Sequence, residues 1–145
     1  MEISHHRVTC SHSVLTLDGE RGAVHAARDH TRGFLDELDP PVTPTTTVDI
    51  LMLVSELVTN AVRHAPGPCS LYLVYAVPDG PGHPELTVAV SDTSASSPTP
   101  RIPDMLAGTG GLGWHMVRRL TTFVGIHRIP SRGKTIETTL AAIPP

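Results

Sequence analysis

Cysteine is nearly absent from this 145-residue chain. Cys10 and Cys69 stand far apart and form no Cys-x-x-Cys pair, which excludes a disulfide scaffold and a cysteine-based zinc module. Two reduced thiols in a cytoplasmic protein are expected. Lysine is scarcer still. Of the eleven basic residues only Lys134 is a lysine, and none of them forms a dense run. With a formal net charge of −3, nothing electrostatic points to nucleic acid or to an acidic membrane. Long hydrophobic runs are missing too. Met1-Glu2-Ile3-Ser4-His5-His6-Arg7 contains no apolar core of a signal peptide. The longest apolar segment is broken by Ser55, Glu56 and Asn60, so no membrane span is expected. None of the nine histidines has an i, i+4 partner, the spacing of a helical metal clip.

What is present fits one domain, 1–145, with enough apolar sequence for a real core. Residues 1–10 read as a loose lead-in, and Ser13–Leu17 as a short strand punctuated by Asp18-Gly19. Apolar residues at spacings of three, four and seven predict an amphipathic helix over 20–38, weakened by Gly22 and Gly33. Thr43 followed by Pro44 reads as the N-cap and first position of a second helix, which Pro66-Gly67-Pro68 ends. The period then changes. Ser70–Val77 and Leu86–Val90 are strand candidates around a Pro/Gly-rich turn, and the second runs straight into Asp92. Residues 93–107 are rich in Ser and Pro and show no period; a loop of that length in a compact domain is usually functional. A helix should follow the glycine cluster 108–113, and two strands around 130–134 close the chain. Hairpin-joined strands with helices grouped between them predict an α+β two-layer sandwich, helices on one face of a mixed, mostly antiparallel sheet.

The most informative stretch is the second helix. Asp49, Met52, Glu56, Asn60 and Arg63 fall on one narrow stripe, polar except for Met52, on a helix that is otherwise apolar. Such a stripe is either a solvated edge or a place where a carboxylate and an amide converge on a ligand. Glu is suited to orienting or deprotonating a nucleophile, and the Asn oxygen is a neutral, hard donor suited to Mg²⁺. Gly108, Gly110, Gly111 and Gly113 before a helix would let backbone N–H groups approach an anion, or would simply be a hinge. Their spacing matches a dinucleotide fingerprint, but a Pro-rich loop precedes them and a hairpin follows, which is not a βαβ unit. Asp92 is either a turn former or an acceptor for an exocyclic amine.

Glu-x-x-x-Asn on a helix, Asp after a strand, a long loop with a glycine cluster, and Gly-x-Thr opening the last strand occur in that order. That order resembles the GHKL ATP-binding family, the Bergerat fold of gyrase, mismatch-repair ATPases and histidine kinases. The segment Ser55–Ala65 is most similar to the stand-alone anti-sigma-factor serine/threonine kinases. The resemblance covers roughly residues 11–141 and implies ATP and Mg²⁺ as cofactors. Asn60 would ligate the Mg²⁺ that bridges the phosphates, and Glu56 would orient or deprotonate the attacking hydroxyl. Asp92 would bind the adenine amine, supported by Thr135. Residues 93–111 would form a lid over ATP, with Gly108, Gly110, Gly111 and Gly113 at its phosphate-facing end, and Arg63 would contact phosphate or a partner. The implied partners are an anti-anti-sigma-factor-like protein, a sigma factor and a second copy of the chain.

The sequence also departs from the family pattern. Asp92-Thr93-Ser94-Ala95-Ser96 contains none of the glycines that often follow the adenine-binding Asp. A non-catalytic module that binds nucleotide and regulates a partner by binding alone is therefore the alternative to a kinase.

Overall fold

The computed structural model describes residues 7–64, 67–92, 111–129 and 133–142. The first strand, β1 (Val8–Leu17), begins five residues before Ser13. Val8, Thr9 and Cys10 therefore belong to the sheet and not to a loose lead-in, because each has a register partner on β2 (Cys69–Pro78). At its other end Asp18 closes a short turn by accepting the Glu20 N–H at 3.0 Å. Gly19, at φ 79°, has to be glycine: a Cβ there would run into the Gly67 carbonyl.

Helix α1 (Ala23–Asp36) is shorter at both ends than the apolar spacing suggested, since Gly22 holds a left-handed conformation at its start. Its buried residues are Ala23, Ala27, Thr31 and Leu35, one face at helical spacing. Helix α2 (Pro44–His64) starts as the sequence indicated. Thr43 Oγ1 accepts the Thr46 N–H at 3.1 Å, satisfying one of the amides that a helix start leaves over. Ile50, Leu53, Val54, Leu57 and Val58 on α2 are almost fully excluded from solvent. Truncating one of them to alanine is expected to cost about 2–5 kcal/mol.

Strands β3 (Glu85–Asp92), β4 (Phe123–Ile129) and β5 (Gly133–Ala141) complete the sheet. The order is β1-β2-β3-β5-β4. All four pairings are antiparallel, so the sheet is not mixed as expected but antiparallel throughout the described residues. Each neighbouring pair is joined by a hairpin or returns along its neighbour in the opposite sense, which leaves no parallel crossover to make. Helix α3 (Gly111–Leu120) lies between β3 and β4 in sequence and packs against α2.

Strand alternation divides the sheet into two unlike faces. Leu71, Leu73 and Tyr75 on β2, Leu86, Val88 and Val90 on β3, and Ile136 and Leu140 on β5 share one core with α1, α2 and Val117 of α3. Polar groups drawn into this core are satisfied locally. Thr138 donates to the Val88 carbonyl and Thr31 to the Ala27 carbonyl, both at 2.7 Å. Among the described residues no helix covers the opposite face, where Val14 and Tyr72 remain exposed. Among the described residues the architecture is an α+β two-layer arrangement, three helices on one face of an open five-stranded sheet.

Candidate functional site

The helix that supplies more of the core than any other described element also carries the polar stripe. Around α2, Asp49, Glu56 and Asn60 are half-buried and Met52 and Arg63 are exposed, whereas the residues on the other side are buried. Glu56 and Asn60 are therefore held on a rigid element, side by side on one face, and open to a ligand. Arg28 of α1 donates to Ser55 Oγ at 3.1 Å, and Ser55 in turn donates to the Leu51 carbonyl at 2.8 Å. This cross-link fixes α1 against the turn of α2 that bears Glu56.

The helix that bears the stripe packs against β3, the strand that ends in Asp92. Asn60 lies four residues before the end of α2, about 6 Å along its axis. The chain then re-enters the sheet at Cys69, which stands directly opposite Asp92 in the register of β2 and β3. Gly111 and Gly113 form the first turn of α3, which packs along α2. Gly108 and Gly110, with the rest of the expected lid over 93–110, lie outside the described residues.

The floor at this end of the sheet is one cross-strand row, Leu17, Cys69, Asp92, Lys134 and Arg128, all on the helix-facing side. The next row inward is Leu15, Leu71, Val90, Ile136 and Ile126. A polar edge thus borders an apolar strip, the combination a ligand with a flat apolar body and a polar rim requires. Asp92 is buried, and Lys134 Nζ donates to its Oδ2 at 3.4 Å. The Cys69 thiol beside it is pushed above its ordinary value of 9.0, first by burial and then by the negative charges of Asp92 and Asp18.

Thr135 does not join this row. Its partner in register is Ser91, with Thr135 Oγ1 2.6 Å from Ser91 Oγ, so its side chain is on the face of the sheet away from the helices. The expected support of Asp92 by Thr135 is corrected by strand alternation: the residue that faces Asp92 is Lys134, one position earlier. Lys134 was the residue missed. Its signals in the sequence were its standing as the single lysine and its place between Gly133 and Thr135.

A family model described as histidine kinase-like ATPase domain matches residues 17–140. The chain belongs to that family. No curated protein shows a significant match to it. As a histidine kinase-like ATPase domain it binds nucleotide. Asn60 fits a divalent ion in that setting. Mg²⁺ commonly takes only one or two protein oxygens and completes its shell with phosphates and water. Among the described residues no three His, Cys, Asp or Glu side chains converge as a metal cage, so an ion at Asn60 would share its coordination with a phosphate chain.

Proposed function

We propose that this histidine kinase-like ATPase domain is a regulatory serine/threonine kinase of the anti-sigma-factor type. It binds ATP with Mg²⁺ and phosphorylates a small antagonist protein. The observation that carries this reading is the pair Glu56 and Asn60, half-buried side by side on a helix whose opposite face, Ile50, Leu53, Val54, Leu57 and Val58, is buried. A solvated edge would need no carboxylate and amide at that spacing beside a buried Asp. A phosphoryl-transfer site would need all three.

In this reading the adenine amine donates to Asp92 and the purine lies on the apolar strip of Leu71, Val90 and Ile136. Asn60 holds the Mg²⁺, whose chemistry is to neutralise charge on the phosphates. Glu56 accepts the proton of the substrate hydroxyl as its oxygen bonds to the γ-phosphorus and the bond to the β-phosphate oxygen breaks, leaving ADP and a phosphoserine or phosphothreonine. Such transfers depend chiefly on positioning and charge neutralisation. Gly111 and Gly113 at the start of α3 offer backbone N–H groups to the phosphates, and Arg63, exposed one turn beyond Asn60, contacts phosphate or the incoming protein. A second copy of the chain and a sigma factor are further partners in the same proposal.

A second reading is favoured by a specific feature. The segment after Asp92 has no glycine, which restricts the backbone where many relatives bend. A module that binds nucleotide and a partner without transferring phosphate accommodates that departure.

The two readings separate in a transfer assay with γ-labelled ATP and candidate antagonist proteins. The kinase reading expects label on a serine or threonine of the antagonist, and a loss of about 100-fold or more in rate for Glu56→Ala. Undiminished transfer by Glu56→Ala would remove Glu56 from the mechanism. Binding of ATP and antagonist without transfer would establish the module.

A further inference from the structure

Lys134 is buried to the same degree as Asp92, with each side chain 5% exposed. An ammonium carries three N–H donors. Among the described residues its hydrogen-bond partner is Asp92 alone, at 3.4 Å, a long bond for two opposite charges. A buried ammonium held by one long bond retains donors that water scarcely reaches, and such donors are costly to leave unmet. They belong to the polar row at the ligand end of the sheet, with apolar Val90 and Ile136 in the row behind.

We propose that Lys134 is a base-reading residue of the nucleotide site, donating a hydrogen bond to a ring acceptor of the purine beside the amine that Asp92 accepts. This rests on the nucleotide-binding reading above and adds to it a second recognition group. The Watson–Crick edge of adenine presents a donor, the N6 amine, next to an acceptor, N1. Asp92 and Lys134, adjacent in register on β3 and β5, present the complementary acceptor and donor. Inserting the base replaces one long intramolecular bond with two bonds to ligand, one at each charged group. Thr135 is on the other face and cannot do this.

The guanine edge is the competing ligand chemistry, because O6 accepts where adenine N6 donates and N1–H donates where adenine N1 accepts. The charge of Lys134 also allows a third role, attraction of the phosphates. Each outcome has its own signature.

The experiment is calorimetric titration of the full chain with ATP, with 1-deaza-ATP, which carries C–H in place of N1, and with GTP. The protein is wild type, Lys134→Met and Lys134→Gln, each checked by thermal denaturation. Wild type is expected to bind ATP about tenfold more tightly than 1-deaza-ATP, the worth of one hydrogen bond to a charged donor. In Lys134→Met the two nucleotides should bind within about twofold of each other, and Lys134→Gln, which keeps a donor, should fall between. Equal binding of ATP and 1-deaza-ATP by wild type overturns the proposal without recourse to any variant. So does an unchanged preference in Lys134→Met, or an equal loss for both nucleotides, which would place Lys134 against phosphate. Tighter ATP binding by Lys134→Met would show that the lysine competes with the base for Asp92, and GTP binding more tightly than ATP would assign the pair to guanine. Wild type that binds ATP and 1-deaza-ATP equally refutes the inference alone, whereas wild type that binds no nucleotide refutes the underlying reading with it.

Discussion

The ammonium of Lys134 and the carboxylate of Asp92 face each other across β5 and β3, 3.4 Å apart, in a part of the sheet closed to solvent. The pair neutralises two charges that neither residue could bring into the core alone. In the same cross-strand row Cys69 lies on one side of it and Arg128 on the other.

Removing one member should therefore cost more than removing both. Lys134→Met removes a cation that pairs with the buried Asp92 carboxylate, and a loss of about 3 kcal/mol, or about 6–12 °C in Tm, is expected. Asp92→Asn with Lys134→Met should recover part of that loss. Thermal denaturation of the two single variants and the double variant gives the coupling. Strict additivity would mean that the pair does not interact.

Thr135 supplies the complementary control. Thr135→Val removes the hydrogen bond to Ser91 on the outer face, so a stability loss of about 1 kcal/mol is expected. Nucleotide affinity should stay within about twofold, because one hydrogen bond to a ligand would be worth more than that. A tenfold fall in affinity with intact folding would return Thr135 to the site.

How far the sequence could be read follows from these neighbours. The motif order identified the family, and the stripe on α2 emerged from helical spacing alone, because one apolar face and one polar line are visible in any linear text. The start of α2 was equally legible, since Thr43-Pro44 is a local signal and Thr43 does cap the helix. Register was not. Which residue of Gly133-Lys134-Thr135 faces Asp92 depends on how β5 slides against β3, and a shift of one position exchanges the two faces. The strand at Val8–Cys10 escaped for a related reason. Its side chains are exposed and show no apolar–polar alternation, so its pairing with β2 rests on backbone hydrogen bonds that leave no pattern in the sequence.

Cys69 offers a test of the same floor through pH. Burial, with Asp92 and Asp18, holds its pKa above 9.0 in the folded protein. As pH rises past the ordinary thiol value the unfolded chain releases its proton first, so unfolding becomes favoured. The contribution of Cys69 to stability is complete below that value and is lost as pH climbs toward the folded pKa. Tm should fall between roughly pH 8 and pH 10 in wild type, and less steeply in Cys69→Ala. In the native protein a thiol reagent should modify exposed Cys10 well before buried Cys69. Parallel declines in the two proteins would remove Cys69 from the alkaline limb.

The central claim is that the Glu56–Asn60 face of α2 and the Asp92 end of β3 together hold a Mg²⁺-nucleotide. Calorimetric titration with ATP, in Mg²⁺ and again in chelator, on wild type and Asn60→Ala tests it most directly. Wild type should bind in Mg²⁺ and lose about tenfold or more in affinity in chelator, and Asn60→Ala should bind weakly in both, with little further loss when the metal is removed. Wild type with no measurable binding, or Asn60→Ala with the full Mg²⁺ dependence of wild type, would contradict it.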